Sequence, residues 1–191
     1  WCALALAGAQ SALLAGLLML GTVLLTGEAS IASTDAVLLA TVVAMQGVLL
    51  RVWRAVRVPQ ASPPSTRLVL GGWAAMAAGI LIKGPVAPLL ALLTVVGLVA
   101  WDRQWQNGQW RWLARLKPLW GVALTALIVA PWLVAITIQS HGAFFQQSLG
   151  NDFAAKIAGG QESHGALPGY FLALSAITFW PTILLVPPAL V

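Results

Sequence analysis

The chain has 191 residues, 60% of them apolar and only 8% charged, with ten basic and five acidic side chains and a net charge of +5. A soluble domain carries roughly 25% charge, so a water-facing surface of ordinary size is excluded and lipid must solvate most of these side chains. The positive charge does not mark a nucleic-acid binder, because the basic residues fall into two clusters between apolar runs rather than into one patch.

Runs of about 20 apolar residues cross a bilayer, and in chain order the sequence predicts about six of them. The first covers about 3–26, the second about 31–53 after the polar turn Gly27-Glu28-Ala29-Ser30. A basic, proline-rich loop follows at 51–67, with Arg51, Arg54, Arg57 and Arg67. The third and fourth runs, about 68–82 and 85–100, are short and are separated only by Lys83-Gly84. A second basic loop, 101–118, holds Arg103, Arg111, Arg115 and Lys117. The fifth run covers about 119–139, a long polar stretch occupies 140–169, and a sixth run starts at Tyr170. The expected fold class is all-α, a polytopic membrane helix bundle in which residues 1–191 form part of one transmembrane domain.

Charge sets the expected orientation. The two basic loops hold eight of the ten basic residues and one acid, Asp102. The opposite connections hold Lys83 and Lys156 with Glu28, Asp35, Asp152 and Glu162. The positive-inside rule puts the basic loops in the cytoplasm and the acidic connections on the outer face. Trp101, Trp105, Trp110, Trp112 and Trp120 read as an interfacial aromatic belt around the second basic loop. In the long outer stretch, Phe145, Leu149, Phe153 and Ile157 recur every four residues, which reads either as an amphipathic helix lying on the membrane surface or as a loop packed on protein.

The single cysteine, Cys2, makes no internal disulfide and leaves the redox compartment open. The sequence begins with Trp1, shows no signal-peptide n-region and ends within an apolar run, so it reads as an internal piece of a longer protein.

Ionisable groups at the ends of membrane helices are the candidates for chemistry, since an unpaired charge in hydrocarbon costs several kcal/mol. Asp35 reads either as a helix N-cap or as a carboxylate aimed into a polar cavity, and Glu28, a turn or two away, can share either role. Lys83, before Gly84-Pro85, reads either as a lysine snorkelling to the headgroups or as a phosphate ligand, helped by the free N-terminus of the helix that Pro85 opens. His164 reads as a loop hydrogen-bonder or as one metal donor; with Glu162 it supplies at most two of the three or four donors a metal site needs. His141 is a weaker candidate. No Walker loop, dinucleotide fingerprint, HExxH or paired CxxC occurs.

Taken in order, Gly27-Glu28-Ala29-Ser30-Ile31-Ala32-Ser33-Thr34-Asp35-Ala36, Lys83-Gly84-Pro85, Pro131-Trp132 and Gln161-Glu162-Ser163-His164-Gly165-Ala166-Leu167-Pro168-Gly169-Tyr170-Phe171 resemble the bacterial glycosyltransferase family 39. That family includes the lipid A aminoarabinose transferases and relatives of the protein O-mannosyltransferases. The resemblance implies a GT-C membrane architecture, of which this chain would hold six helices. It implies transfer of a sugar from a polyprenyl-phosphate carrier to a lipid, protein or other glycan acceptor at the outer face of the inner membrane. Asp35 would then be a catalytic acidic residue at the cavity, Lys83 the group approaching the carrier phosphate, Glu28 and Tyr170 further substrate-binding residues, and His164 a ligand to a divalent metal ion. The family's principal catalytic aspartate belongs to a first outer loop that this sequence does not contain, so the piece is expected to be inactive alone. Two other classes compete: a secondary transporter or flippase, since short helices broken by Gly and Pro also build transporter sites, and a purely structural membrane subunit.

Overall fold

The computed structural model describes residues 1–31, 34–58, 60–105, 110–145 and 169–185. Among these the chain is helical, with no strand. In order come α1 (Cys2–Leu20), α2 (Val23–Ser30), α3 (Thr34–Arg57), α4 (Thr66–Lys83) and α5 (Val86–Trp105). A 3-10 turn (Trp110–Leu116) leads into α6 (Pro118–Gln139), which is followed by α7 (Ala143–Phe145), α8 (Tyr170–Thr178) and a last 3-10 turn (Thr182–Leu185). The chain divides into two compact units, Trp1–Val129 and Ala130–Val191.

Four segments are long and apolar enough to cross a membrane: Cys2–Leu20, Thr34–Arg57, Thr66–Lys83 and Trp112–Gln139. The apolar part of α5, Val86–Trp101, is shorter. At 1.5 Å per residue it covers roughly 24 Å of a hydrocarbon layer about 30 Å thick. The six expected runs are therefore met by four helices of spanning length, one short apolar helix, and α8. Leu20, Leu119, Leu127 and Leu172 are each more than 70% exposed. Bare leucine on this scale suits a hydrocarbon solvent.

The boundaries depart from the hydropathy runs in three places, each for a local reason. The first run breaks at Gly21-Thr22, where α1 ends and α2 begins; the Thr22 hydroxyl donates to the Leu18 carbonyl and its own carbonyl accepts from Thr26 N–H. At the other end of this run, Gly8 lies at φ 84°, outside helical geometry, a conformation glycine adopts at no steric cost. The second departure is that Arg51, Arg54 and Arg57, expected in a loop, form the last turns of α3. Arginine is a good helix former, and helix persists until the approach to Pro59, whose ring disfavours α geometry in the residue before it. At 24 residues α3 is about 36 Å long, so its arginine-bearing end reaches beyond the hydrocarbon. Finally, α8 runs for nine residues and ends at Phe179, ahead of Pro181, rather than continuing as a full span.

The core lies in the first unit, between α3, α4, α5 and the 3-10 turn. Met45, Val48, Leu49 and Val52 of α3 recur at helical spacing and pack with Val69 and Met76 of α4, Ala91 of α5, and Trp112 and Leu116 of the turn. α3 packs chiefly on α4, and glycine makes the approach possible. A Cβ on Gly72 would come 2.9 Å from Val48 Cγ2, and one on Gly79 would come 2.6 Å from Ala87 Cβ and 2.9 Å from Thr41 Oγ1. Small residues at a helix interface draw membrane helices together through close van der Waals contact, where the hydrophobic effect supplies little.

Trp112 corrects the aromatic-belt expectation. It is 1% exposed and belongs to the core, whereas Trp101 and Trp120 are 57% and 69% exposed, as belt residues would be. The side chains of Trp105 and Trp110 lie outside the described set. The Trp73 indole N–H donates to the Leu116 carbonyl at 2.8 Å and its ring lies against Gly121, so α4 fastens the turn and the start of α6. In the second unit, Trp132 and Phe144 meet edge to face with centroids 5.5 Å apart. Of the expected surface helix, Leu149, Phe153 and Ile157 lie outside the described residues.

Candidate functional site

The connections place the charged groups of the first unit at two ends of one bundle. α3 and α4 run in opposite directions, so the first turn of α3 meets the last turn of α4. Asp35 lies in the first turn of α3, where a carboxylate complements the partial positive charge of the helix N-terminus. Lys83 is the last residue of α4, where an ammonium complements the partial negative end. Gly84, at φ 61°, stops α4 and donates its N–H to the Ile80 carbonyl at 2.8 Å. Pro85 then opens α5, its carbonyl accepting from Leu89 N–H at 3.0 Å. A chain reversal this tight holds the Lys83 stem at the mouth of the bundle.

There Lys83 Nζ donates to Asp35 Oδ1 at 2.5 Å, with the two side chains 50% and 51% exposed. Asp35 thus pairs with an ammonium across the helix interface from an exposed position in the first turn of α3. Lys83 likewise engages a partner across the bundle rather than only reaching for the headgroups. Half-exposed ion pairs contribute about 0–1 kcal/mol, so this one adds little to folding and leaves both groups open to exchange partners.

At the opposite end, the Lys117 ammonium donates to Thr66 Oγ1 at 2.5 Å, and Arg51 and Arg54 lie on the end of α3. The basic cluster and the Asp35–Lys83 pair are thus separated by the length of the bundle, the segregation that the loop charges anticipate.

The other sequence candidates are less closely joined. Glu28 lies half-buried on α2, the short helix next to α3. Tyr170 opens α8 in the second unit and is half-exposed. His141 stands in the turn after α6, exposed and at φ 49°. His164 and Glu162 lie outside the described residues. Among the described residues no three His, Cys, Asp or Glu side chains gather into a group able to hold a metal ion, so these residues do not by themselves furnish a divalent-ion site.

One polar link had no place among the candidates. Gln46, midway along α3, donates its amide N–H to Thr94 Oγ1 at 2.8 Å and to the Leu90 carbonyl at 3.3 Å, tying α3 to α5 in the middle of the bundle. An amide inside an apolar run is itself a signal, because it must find a partner in hydrocarbon.

No protein-family model matches this chain, and no curated protein or solved structure matches it.

Proposed function

We propose that the chain is part of a membrane glycosyltransferase that moves a sugar from a polyprenyl-phosphate carrier to a cell-envelope acceptor at the outer face of the inner membrane. The observation that carries this reading is the meeting of Asp35 and Lys83 at the end of the bundle away from the arginines. Transfer from a lipid phosphate needs positive charge at the departing phosphate and a carboxylate at the acceptor hydroxyl. Both groups are present, in contact, and on one face.

In this reading the carrier phosphate binds Lys83 by charge-assisted hydrogen bonding, with the N-terminus of α5, which starts at Val86, following directly in the chain. Asp35, released from the ammonium, takes the proton of the acceptor hydroxyl as its oxygen bonds to the anomeric carbon. The bond from that carbon to the phosphate oxygen breaks, and the electron pair leaves with the polyprenyl phosphate. Attack opposite the leaving phosphate inverts the anomeric centre. Glu28 is assigned to substrate binding, and Tyr170, in the second unit, carries that role by resemblance only. A divalent ion held by His164 is part of the proposal by resemblance only, and no step is routed through it.

The transporter reading is weaker on one specific ground. Its ionisable groups belong near the bilayer midplane, whereas Asp35 and Lys83 lie at helix ends and Gln46 and Thr94, the midway pair, are uncharged. The test is incubation of the full-length protein, in nanodiscs, with radiolabelled polyprenyl-phosphate sugars and a membrane extract. Movement of label from carrier to product supports the transferase. An intact carrier across several sugars and acceptors, with ion-gradient-driven uptake in proteoliposomes, supports the transporter.

A further inference from the structure

The arginine-bearing end of the first unit contains a cavity of about 200 Å3 lined by Leu4, Ala5, Arg51, Arg54, Ala61 and Ser62. It forms where the start of α1 lies beside the end of α3 and the chain turns toward α4. No carboxylate is among its lining residues. Arg51 is fixed there: Nη1 donates to the Gly47 carbonyl at 3.1 Å, Nη2 to the Trp1 carbonyl at 2.8 Å, and the guanidinium lies 3.5 Å from the centroid of the Trp1 ring. The side chain of Arg54, three residues on and on the same side of the helix, makes no hydrogen bond or ion pair among the described residues.

We infer that this cavity binds the phosphate of an anionic phospholipid in the leaflet on the arginine-rich face. The inference stands apart from the glycosyl-transfer reading, since it uses neither Asp35 nor Lys83.

Two guanidinium groups on one wall, with no carboxylate among the described lining residues, give the recess a positive field. A phosphate diester answers that field with two charged oxygens, which guanidinium forks match in geometry. Arg51 is already oriented by two carbonyls and an aromatic face, so little ordering remains to be lost on binding. Ser62, also in the lining, adds a hydroxyl donor.

Size and surroundings favour a lipid over a free phosphorylated metabolite. The cavity is below the roughly 300–1,000 Å3 of pockets that enclose a whole small molecule. It takes a headgroup and leaves the rest of the ligand outside. α1, whose Leu4 and Ala5 line the cavity, buries no residue in the bundle and bares Leu6, Leu13 and Leu17. Acyl chains laid there cover apolar surface while the phosphate stays in the recess. Basic pockets between membrane helices at headgroup depth are recurrent anionic-lipid sites.

The experiment is native mass spectrometry of the full-length protein released from nanodiscs of phosphatidylglycerol and phosphatidylcholine, with wild type, Arg54→Gln, Arg54→Lys and Arg67→Gln compared. Arg67 is an exposed basic residue of the same face outside the cavity. The expected result is one retained phosphatidylglycerol, selected over phosphatidylcholine, with apparent affinity about fivefold lower in Arg54→Gln. Arg54→Lys should fall between, and Arg67→Gln should match wild type. Equal retention of both lipids, or equal losses in Arg54→Gln and Arg67→Gln, overturns the site. Full displacement of the retained lipid by millimolar inorganic phosphate or glycerol phosphate overturns the lipid assignment in favour of a soluble phosphate.

Discussion

Lys83 and Asp35, 48 residues apart in the sequence, are joined at the mouth of the bundle by a 2.5 Å contact between ammonium and carboxylate. Each is the partner that the other must exchange if a phosphate and a hydroxyl are to bind there. This couples the two proposed roles, because the anion that occupies Lys83 is what frees Asp35.

That coupling makes an asymmetric prediction. Asp35→Asn removes the internal competitor for Lys83, so the full-length variant should bind sugar-free polyprenyl phosphate more tightly than wild type. The gain is at most about fivefold, the ratio equivalent to the ~1 kcal/mol that a half-exposed ion pair contributes. Lys83→Ala should lose carrier binding. Titration in nanodiscs checks both, and weaker binding by Asp35→Asn would contradict the exchange.

Close packing at glycine should govern stability. Gly72→Ala places a Cβ 2.9 Å from Val48 Cγ2, and relieving that overlap should cost about 1–3 kcal/mol. Gly97→Ala meets nothing within 4 Å and should be neutral or stabilising by up to about 1 kcal/mol. Thermal unfolding in one detergent compares them, and equal Tm values would count against the α3–α4 interface.

Trp112 and Trp120 should behave as different kinds of tryptophan. Truncating the buried Trp112 to Ala empties a core site and should cost about 3–5 kcal/mol. Trp120→Ala, at a 69% exposed position, should change unfolding by less than about 1 kcal/mol. A large loss at Trp120 with none at Trp112 would return Trp112 to the belt.

The orientation has its own check. In a Cys2→Ser background, Ser62→Cys should react with a membrane-impermeant maleimide only after the cytoplasmic side is opened, and Ala29→Cys should react in intact cells. The reverse pattern would put Asp35 and Lys83 in the cytoplasm and remove the outer-leaflet substrate from consideration.

What was legible in the sequence follows the reach of each physical signal. Hydropathy located α3, α4 and α6 to within a few residues, because lipid solvation acts on every side chain of a span. Charge put Asp35 and Lys83 on one face and the arginines on the other. It did not give the contact between Asp35 and Lys83, since hydropathy fixes how deep a residue lies and leaves the rotation of its helix open. The helical arginines of α3 were hidden because an apolar run stops at its first charge, whereas a helix continues until its backbone is interrupted. Trp112 was misread for a related reason: tryptophan suits both an interface and a core, and only the packing of the 3-10 turn against Met45 and Val69 decides between them. Gln46 was visible as a polar residue in an apolar run, but its partner Thr94 depends on which helices are neighbours.

The most direct test of the central claim is the rate of sugar transfer from labelled polyprenyl-phosphate donors by the full-length protein, measured for wild type, Asp35→Asn and Lys83→Ala at matched expression and Tm. Loss of a proton acceptor or of the charge facing the phosphate should reduce turnover by about 10²-fold or more. Transfer by wild type with that loss in both variants is the expected result. Wild-type rates in both variants would contradict the assignment of Asp35 and Lys83 to the chemistry.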